Sequence, residues 1–311
     1  MSIVAVDREF EKDILHVDWF IGKRCNFDCD YCPDGLHDNY SPHYKFENTK
    51  KLIDTFLNKF APSDIRIGFT GGEPTVNPDF LKVCEYASSK GIRLNATTNG
   101  TRTSEYYKSL LNFLSHLTVS QHFGQHNIYD LHNKLKQINS DKVTVQVMAH
   151  AQFFDQVKES TSYYENNNIN HWVMPVDDRR KDNKSFLASN YSEDYYNWLQ
   201  TKLVKHQDKD SVLYFKNNES KKVHTNEILG DKLNRFKNWI CYAGVYYLNV
   251  WQDGNIYRGI CGAEGTLGNA NTGTFKLPSE PVKCPFDTCD CSPGIHVKKV
   301  IDQIYNKVIN V

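Results

Sequence analysis

Apolar positions along this chain follow two periods that alternate through most of its first 176 residues. Short runs rich in β-branched and aromatic residues at 16–21, 64–69, 92–97, 116–120, 142–148 and 171–176 read as strands. Between them, 47–60, 78–90, 104–114, 128–138 and 153–164 read as helices. In the first of these, Leu52, Ile53, Phe56, Leu57 and Phe60 fall on one face at i, i+3, i+4 and i+7 spacing. Asn77-Pro78 supplies a start signal for the second. From the second strand onward the starts lie roughly 25–30 residues apart, the length of a strand, a helix and two loops. Six such units imply an α/β fold with a mostly parallel sheet, open or closed into a partial barrel. The first unit is longer because a cysteine-bearing segment follows its strand.

The pattern breaks at Asp177. Asp177-Asp178-Arg179-Arg180-Lys181-Asp182-Asn183-Lys184 reads as a solvated connection or as a clamp on an anionic substrate group. A helix near 192–204 follows, then short strands at 211–216, 244–251 and 255–260, with Asp253-Gly254 as a hairpin turn. The expected division is 1–185, a connecting segment 186–230, and a small cysteine-rich α+β domain over 231–311.

Composition narrows the function classes. Lys plus Arg number 37 and Asp plus Glu number 37, a formal net charge of zero, so no nucleic-acid partner or anionic membrane surface is expected. Hydrophobic residues at 40% and charged residues at 24% exclude wholesale disorder. No apolar run approaches the roughly 20 residues of a spanning helix, and the first residues are too acidic for a secretory signal. Nine cysteines, an odd number, argue against a closed disulfide framework and for a reducing, cytoplasmic setting.

Cys25, Cys29 and Cys32 crowd into eight residues after the first strand. Three thiolates on one loop can hold three corners of a cubane iron–sulfur cluster and leave the fourth iron open. A structural zinc with His37 as fourth ligand, or three buried thiols, would fit the spacing too. After the second strand comes Thr70-Gly71-Gly72-Glu73-Pro74, and after the third Thr97-Thr98-Asn99-Gly100. Two glycines permit close backbone approach to a ligand, and Glu73 offers an acceptor for an ammonium group.

With these segments the chain resembles the radical S-adenosylmethionine (SAM) enzymes. Their C-x3-C-x-aromatic-C motif is matched at Cys25, Cys29, Tyr31 and Cys32, and their G-G-E-P motif at Gly71, Gly72, Glu73 and Pro74. The resemblance covers about residues 15–180. It implies a partial (β/α)6 TIM-like barrel, a 4Fe–4S cluster at the mouth of the strands, and SAM chelating the open iron. It further implies reductive cleavage of SAM to a 5′-deoxyadenosyl radical that takes a hydrogen atom from the substrate, with flavodoxin or ferredoxin as electron donor. Thr98, Asn99 and Ser120, at strand ends, can hydrogen-bond a ribose, and Tyr31 can pack against adenine or face the core. His122, His150 and Asp177, also at strand ends, are substrate-contact candidates. His122 and His126 share a metal-like spacing, but Gly124 between them argues against one helix face. Cys84 reads as a small core residue, and Tyr195, Tyr196 and Trp198 as helix packing.

Cys241, Cys261, Cys284, Cys289 and Cys291 fall in the last 71 residues. Cys241, Gly254 and Cys261 resemble the Twitch domain, a shortened relative of the SPASM domain that holds an auxiliary cluster in some radical SAM enzymes. Six residues separate Gly254 from Cys261, more than is usual there. A second 4Fe–4S cluster on four of these five thiols is expected, with a structural zinc as the alternative. The expected activity is that of an oxidoreductase acting on a small molecule, by dehydrogenation or epimerisation. Modification of a ribosomally made peptide is an alternative, disfavoured because about 15 residues before the first expected strand leave no room for a leader-binding domain. A non-enzymatic iron–sulfur or zinc protein is the other alternative, and the G-G-E-P segment argues against it.

Overall fold

The computed structural model describes residues 2–9, 13–32, 35–176, 191–202, 210–290 and 292–302. Asp177 and Cys291 lie outside the described residues, as does the charged segment 177–184. The chain divides into two compact units, neither of them contiguous in sequence. One comprises Met1–Trp19, Lys51–Arg66 and His206–Val311; the other comprises Phe20–Lys50 and Ile67–Lys205.

The strand–helix alternation holds, with shifts of a residue or two at most ends. In chain order the strands are Leu15–Phe20, Ile65–Thr70, Arg93–Thr98, His116–Gln121, Val143–Ala149 and His171–Pro175. The helices between them are Phe46–Leu57, Phe80–Ser89, Ser104–Leu110, Ile128–Ile138 and Phe154–Asn166. The second helix starts at Phe80 rather than 78, because the Asn77 side chain caps the preceding turn, accepting from the Asp79 amide at 3.0 Å. Within the second unit the sheet is parallel, with Ala96 opposite Leu117, Val119 opposite Val145 and Val147 opposite Val173. This is the large parallel sheet of the expected α/β class.

Its strands alternate in burial although parallel strands are commonly apolar on both faces. In Val143–Ala149, the residues Val143, Val145, Val147 and Ala149 are buried while Thr144, Gln146 and Met148 are half-buried. One face therefore packs on helices and the other borders an open cavity. Phe69 and Phe80 meet edge to face at 5.5 Å and anchor helix Phe80–Ser89 to the sheet. Cys84 is fully buried in that helix, as a core residue should be. Tyr195 stacks on Phe154 at 4.1 Å, so packing explains it too.

The first unit contains a sheet whose strands come from distant parts of the sequence. Ile3–Arg8 lies between Ser211–Phe215 and Lys299–Val300, antiparallel to both, and Ile240–Cys241 pairs in turn with Lys299–Val300 and Val282–Lys283. The strand Ile3–Arg8 was not expected, and its pairing joins the N-terminus to residues 211–215 and 299–300 in one compact unit. Phe236, Ile228, Ile295 and Val297 fill the core against this sheet. Fully burying each side chain of that size contributes about 1.5–3 kcal/mol.

The expected hairpin is present, with Val250 opposite Ile256. Gly254 turns it at φ +87°, and a Cβ there would lie 2.7 Å from the side chains of Asn269 and Asn271. The second strand of this hairpin stops at Tyr257 instead of 260, and the first runs only from Tyr247 to Val250.

Candidate functional site

Three loops at the strand ends build one cavity of about 480 Å³, within the usual range for a small-molecule site. Cys25, Cys29 and Cys32 line it, together with Gly71, Gly72, Glu73, Thr98, Asn99 and Ser120.

The cysteine loop is fixed at both ends by backbone pairing. Cys25 N donates to Asp38 O at 2.7 Å and Asp38 N to Lys23 O at 3.0 Å. Its entry, residues 21–24, runs beside the glycine motif: Ile21 N donates to Thr70 O at 2.8 Å, while Gly72 N and Glu73 N donate to Gly22 O and Arg24 O, each at 2.9 Å. This proximity gives the glycines a structural role of their own. A Cβ on Gly72 would sit 2.2 Å from Lys23 O and one on Gly71 would sit 2.6 Å from Gly22 O. The missing side chains make room for the backbone that carries the cysteines, and the loop could not dock otherwise.

Glu73 follows with its carboxylate buried, only 3% exposed. One oxygen accepts from Thr75 N at 3.0 Å, Thr75 Oγ1 at 2.5 Å and Thr98 Oγ1 at 2.7 Å; the other accepts from Asn99 N at 2.5 Å. Burial raises its pKa, and these hydrogen bonds oppose the rise. The carboxylate ties the ends of two strands together at the cavity wall.

Thr98 and Asn99 are likewise engaged. Thr98 Oγ1 also meets Tyr107 Oη at 3.0 Å, and Asn99 Nδ2 donates to Asn26 Oδ1 at 2.9 Å, which pins the cysteine loop to the third strand end. Ser120 Oγ reaches Gln146 Oε1 at 3.4 Å, and both residues line the cavity.

On the other side of the thiols, the Tyr31 hydroxyl contacts His122 Nδ1, which lies 3.5 Å from Cys29 Sγ. The Tyr31 and His122 rings stack at 5.9 Å. Burial, then the nearby His126, holds His122 down at about 3, so it is neutral near pH 7. His122 lines the cavity; His150 does not, and packs on Tyr31 at 5.5 Å with Nε2 3.9 Å from Asp30. His126 spends both ring nitrogens on structure: Nδ1 accepts from His122 N at 3.1 Å and Nε2 donates to Asn99 O at 2.5 Å.

Sequence reading missed Phe27, Gln146, Met148 and Met174, which also line the cavity. The signal was present in the alternation of 143–149, which leaves Gln146 and Met148 on the cavity face. Asp177 lies outside the described residues, one position beyond the lining residue Val176.

All eight described cysteines are free thiols. Burial pushes Cys29 up to about 12, with Cys25 and Cys32 adding to the rise, and raises Cys25 and Cys32 as well. Iron reverses that preference, because coordination stabilises the thiolate. Three thiols on one cavity wall, with no fourth protein donor required, fit an iron–sulfur cluster with one open iron.

In the other unit, Cys241 and Cys284 are buried, Cys289 is half-buried and Cys261 is exposed. The charge on each thiol acts on others of the four, so they form one neighbourhood. Among the described residues, no three Cys, His, Asp or Glu side chains gather at single-ion distances.

A parallel α/β sheet whose strand ends carry a three-thiol loop beside a small-molecule cavity has the form of a metallocofactor site. A sequence profile of the radical SAM superfamily matches residues 19–175, half of the chain, and the protein belongs to that superfamily. It is therefore a SAM-dependent enzyme with a 4Fe–4S cluster. Among curated relatives, the AdoMet-dependent heme synthase of Nitratidesulfovibrio vulgaris is 34% identical over 84 residues, 27% of this chain and 22% of that protein. The GTP 3′,8-cyclase of Haemophilus ducreyi is 41% identical over 105 residues, 31% of this chain and 29% of that protein. The chain thus spans less than a third of the length of these relatives. Among solved structures, anSMEcpe with bound AdoMet aligns with TM-score 0.56 at 16% identity, covering 83% of this chain and 78% of that one. SuiB of Streptococcus suis bound to precursor peptide SuiA aligns with TM-score 0.53 at 14% identity, covering 83% and 62%. These likenesses show a shared fold. No helix of the described residues is long and apolar enough to cross a membrane.

Proposed function

We propose that this enzyme removes a hydrogen atom from a carbon of a small-molecule substrate in a dehydrogenation or epimerisation, and that its C-terminal cysteines hold a second 4Fe–4S cluster. The observation that carries the first part is the one cavity that Cys25, Cys29 and Cys32 share with the polar residues Thr98, Ser120 and Gln146. Cys25, Cys29 and Cys32 would hold the cluster, which would supply the one-electron chemistry that cleaves SAM.

The chain's own residues do the positioning. Asn99 and Glu73 hold the cysteine loop against the sheet by the hydrogen bonds above. Ser120 and Gln146 offer a hydroxyl and an amide to a ribose or a substrate, and Tyr31 offers an aromatic face for adenine. Neutral His122 can orient a polar group but carries no charge into the cavity. Phe27, Met148, Met174 and Val176 give the cavity an apolar part of its wall. A fully thiolate-ligated second cluster would take the electron that a substrate radical must lose to become a carbonyl; zinc has no redox chemistry to offer. Flavodoxin or ferredoxin would serve as the electron donor, in a cytoplasmic setting.

Two measurements test the reading. The anaerobically reconstituted protein, given SAM, a reductant and deuterated candidate small molecules or peptides, should transfer deuterium into 5′-deoxyadenosine from a small molecule. Transfer only from a peptide would replace the substrate class. Metal analysis should find about eight irons per chain, falling to about four when Cys25, Cys29 and Cys32 are all changed to Ala. A triple variant with stoichiometric zinc and no iron would reduce the C-terminal site to a structural clip.

A further inference from the structure

Lys299 is 1% exposed, an unusual location for an ammonium group. It lies on the strand Lys299–Val300, directly opposite Cys241 in the antiparallel register. Opposed residues of such a pair have Cβ atoms about 4.5–5.5 Å apart. Its Nζ donates to the carbonyls of Gly294, Ile295 and Val297, the last two at 3.0 Å, and sits 5.0 Å from the Phe236 ring centre.

Three carbonyl dipoles satisfy the N–H groups but supply no opposite charge. Among the described residues no carboxylate lies within 4.0 Å of this nitrogen. A buried cation is costly unless an anion compensates it. The groups beside it that can carry negative charge once they hold iron are cysteines: Cys241 lies directly opposite on the neighbouring strand, and Cys284 and Cys289 pack in the same core as Cys241.

We propose that Lys299 is the built-in counter-charge of an anionic iron–sulfur centre held by the neighbouring cysteines, and that it raises the reduction potential of that centre. The inference rests on the auxiliary-cluster reading above. A cysteine-ligated cluster is a net anion and becomes more negative on gaining an electron, so a fixed nearby cation stabilises the reduced state more than the oxidised one. The low dielectric around a fully buried ammonium strengthens that preference, and the three carbonyls keep the charge in one place. Lys299 thereby makes the second centre a better electron acceptor without ligating it.

The test uses the full chain with Cys25, Cys29 and Cys32 changed to Ala, so that only the second centre is loaded and read. Iron content is measured, and the midpoint potential is followed by EPR during reductive titration, in the Lys299 parent and in Lys299→Gln, Lys299→Met and Lys299→Arg. Gln keeps a donor for the carbonyls without the charge; Arg keeps the charge. Removing the charge should shift the one-electron equilibrium about tenfold toward the oxidised state, which is about 59 mV more negative, with iron retained. Arg should remain near the parental potential. If Gln and Met hold iron at the parental potential, Lys299 is only a clip for the turn and the inference falls. If Gln and Met both lose their iron, Arg decides: iron at the parental potential supports the counter-charge, and iron lost from Arg as well refutes it. A parent that holds no iron refutes the auxiliary-cluster reading itself, a different result from any of these.

Discussion

Gly72→Ala adds one methyl group where the structure leaves no space. The new Cβ would lie 2.2 Å from Lys23 O and 2.5 Å from Arg24 O. An ordinary contact is about 3.5 Å, so the segment entering the cysteine loop must retreat by about 1 Å. That movement breaks the bonds from Gly72 N to Gly22 O and from Glu73 N to Arg24 O. Each is worth about 0.5–1.5 kcal/mol net. Overpacking against backbone, which cannot change rotamer, adds about 1–3 kcal/mol. A total near 3 kcal/mol is about two decades in the equilibrium between docked and displaced loop. Iron and sulfide content after anaerobic reconstitution, and SAM affinity by equilibrium dialysis, are the assays. Both should fall at least tenfold while the thermal melt stays cooperative. Gly230→Ala, where nothing lies within 4 Å of the added carbon, should match the parent. Parental iron and SAM binding in Gly72→Ala would refute the docking argument, since the geometry allows no rotamer escape.

Glu73→Gln turns one acceptor oxygen into a donor, so either Asn99 N–H or Thr75 N–H loses its partner. The unmade bond costs about 1–3 kcal/mol and should weaken SAM binding roughly tenfold in a dialysis assay; unchanged affinity would detach Glu73 from the site. His16 provides the pH test. Burial, aided by the Arg8 charge, lowers it from 6.5 to about 3. Below pH 6.5 the unfolded chain therefore takes up a proton that the folded chain refuses. Stability should drop as pH falls from about 6.5 toward 3, by up to about 1.4 kcal/mol per pH unit. His16→Gln should flatten that slope in denaturant titrations between pH 6.5 and 5, and an unaltered slope would contradict the burial argument.

Most of the sheet was legible because each strand and helix carries its own apolar stripe. The strand Ile3–Arg8 was not, since its partners lie some 200 or more residues further on and its sequence reads equally well as a loose end. The two-residue strands at Cys241 and Lys299 carry no periodicity at all, which also hid the buried lysine. The three cysteines were visible as a spacing. The scaffold roles of Gly72, Glu73 and Asn99 were hidden, for one physical reason. Loop residues near a cofactor can serve the ligand, the scaffold or both, and only the positions of Gly22, Arg24 and Asn26 show the scaffold contacts. Gly124 argues against a metal pair at His122 and His126, and His126 joins two loops.

The most direct test of the account is SAM cleavage by the anaerobically reconstituted protein under a strong reductant. The account predicts 5′-deoxyadenosine and methionine from the parent and neither from the variant with Cys25, Cys29 and Cys32 changed to Ala, whose C-terminal iron should remain. Continued formation of 5′-deoxyadenosine by that variant would contradict the assignment of the cavity as the site of radical generation.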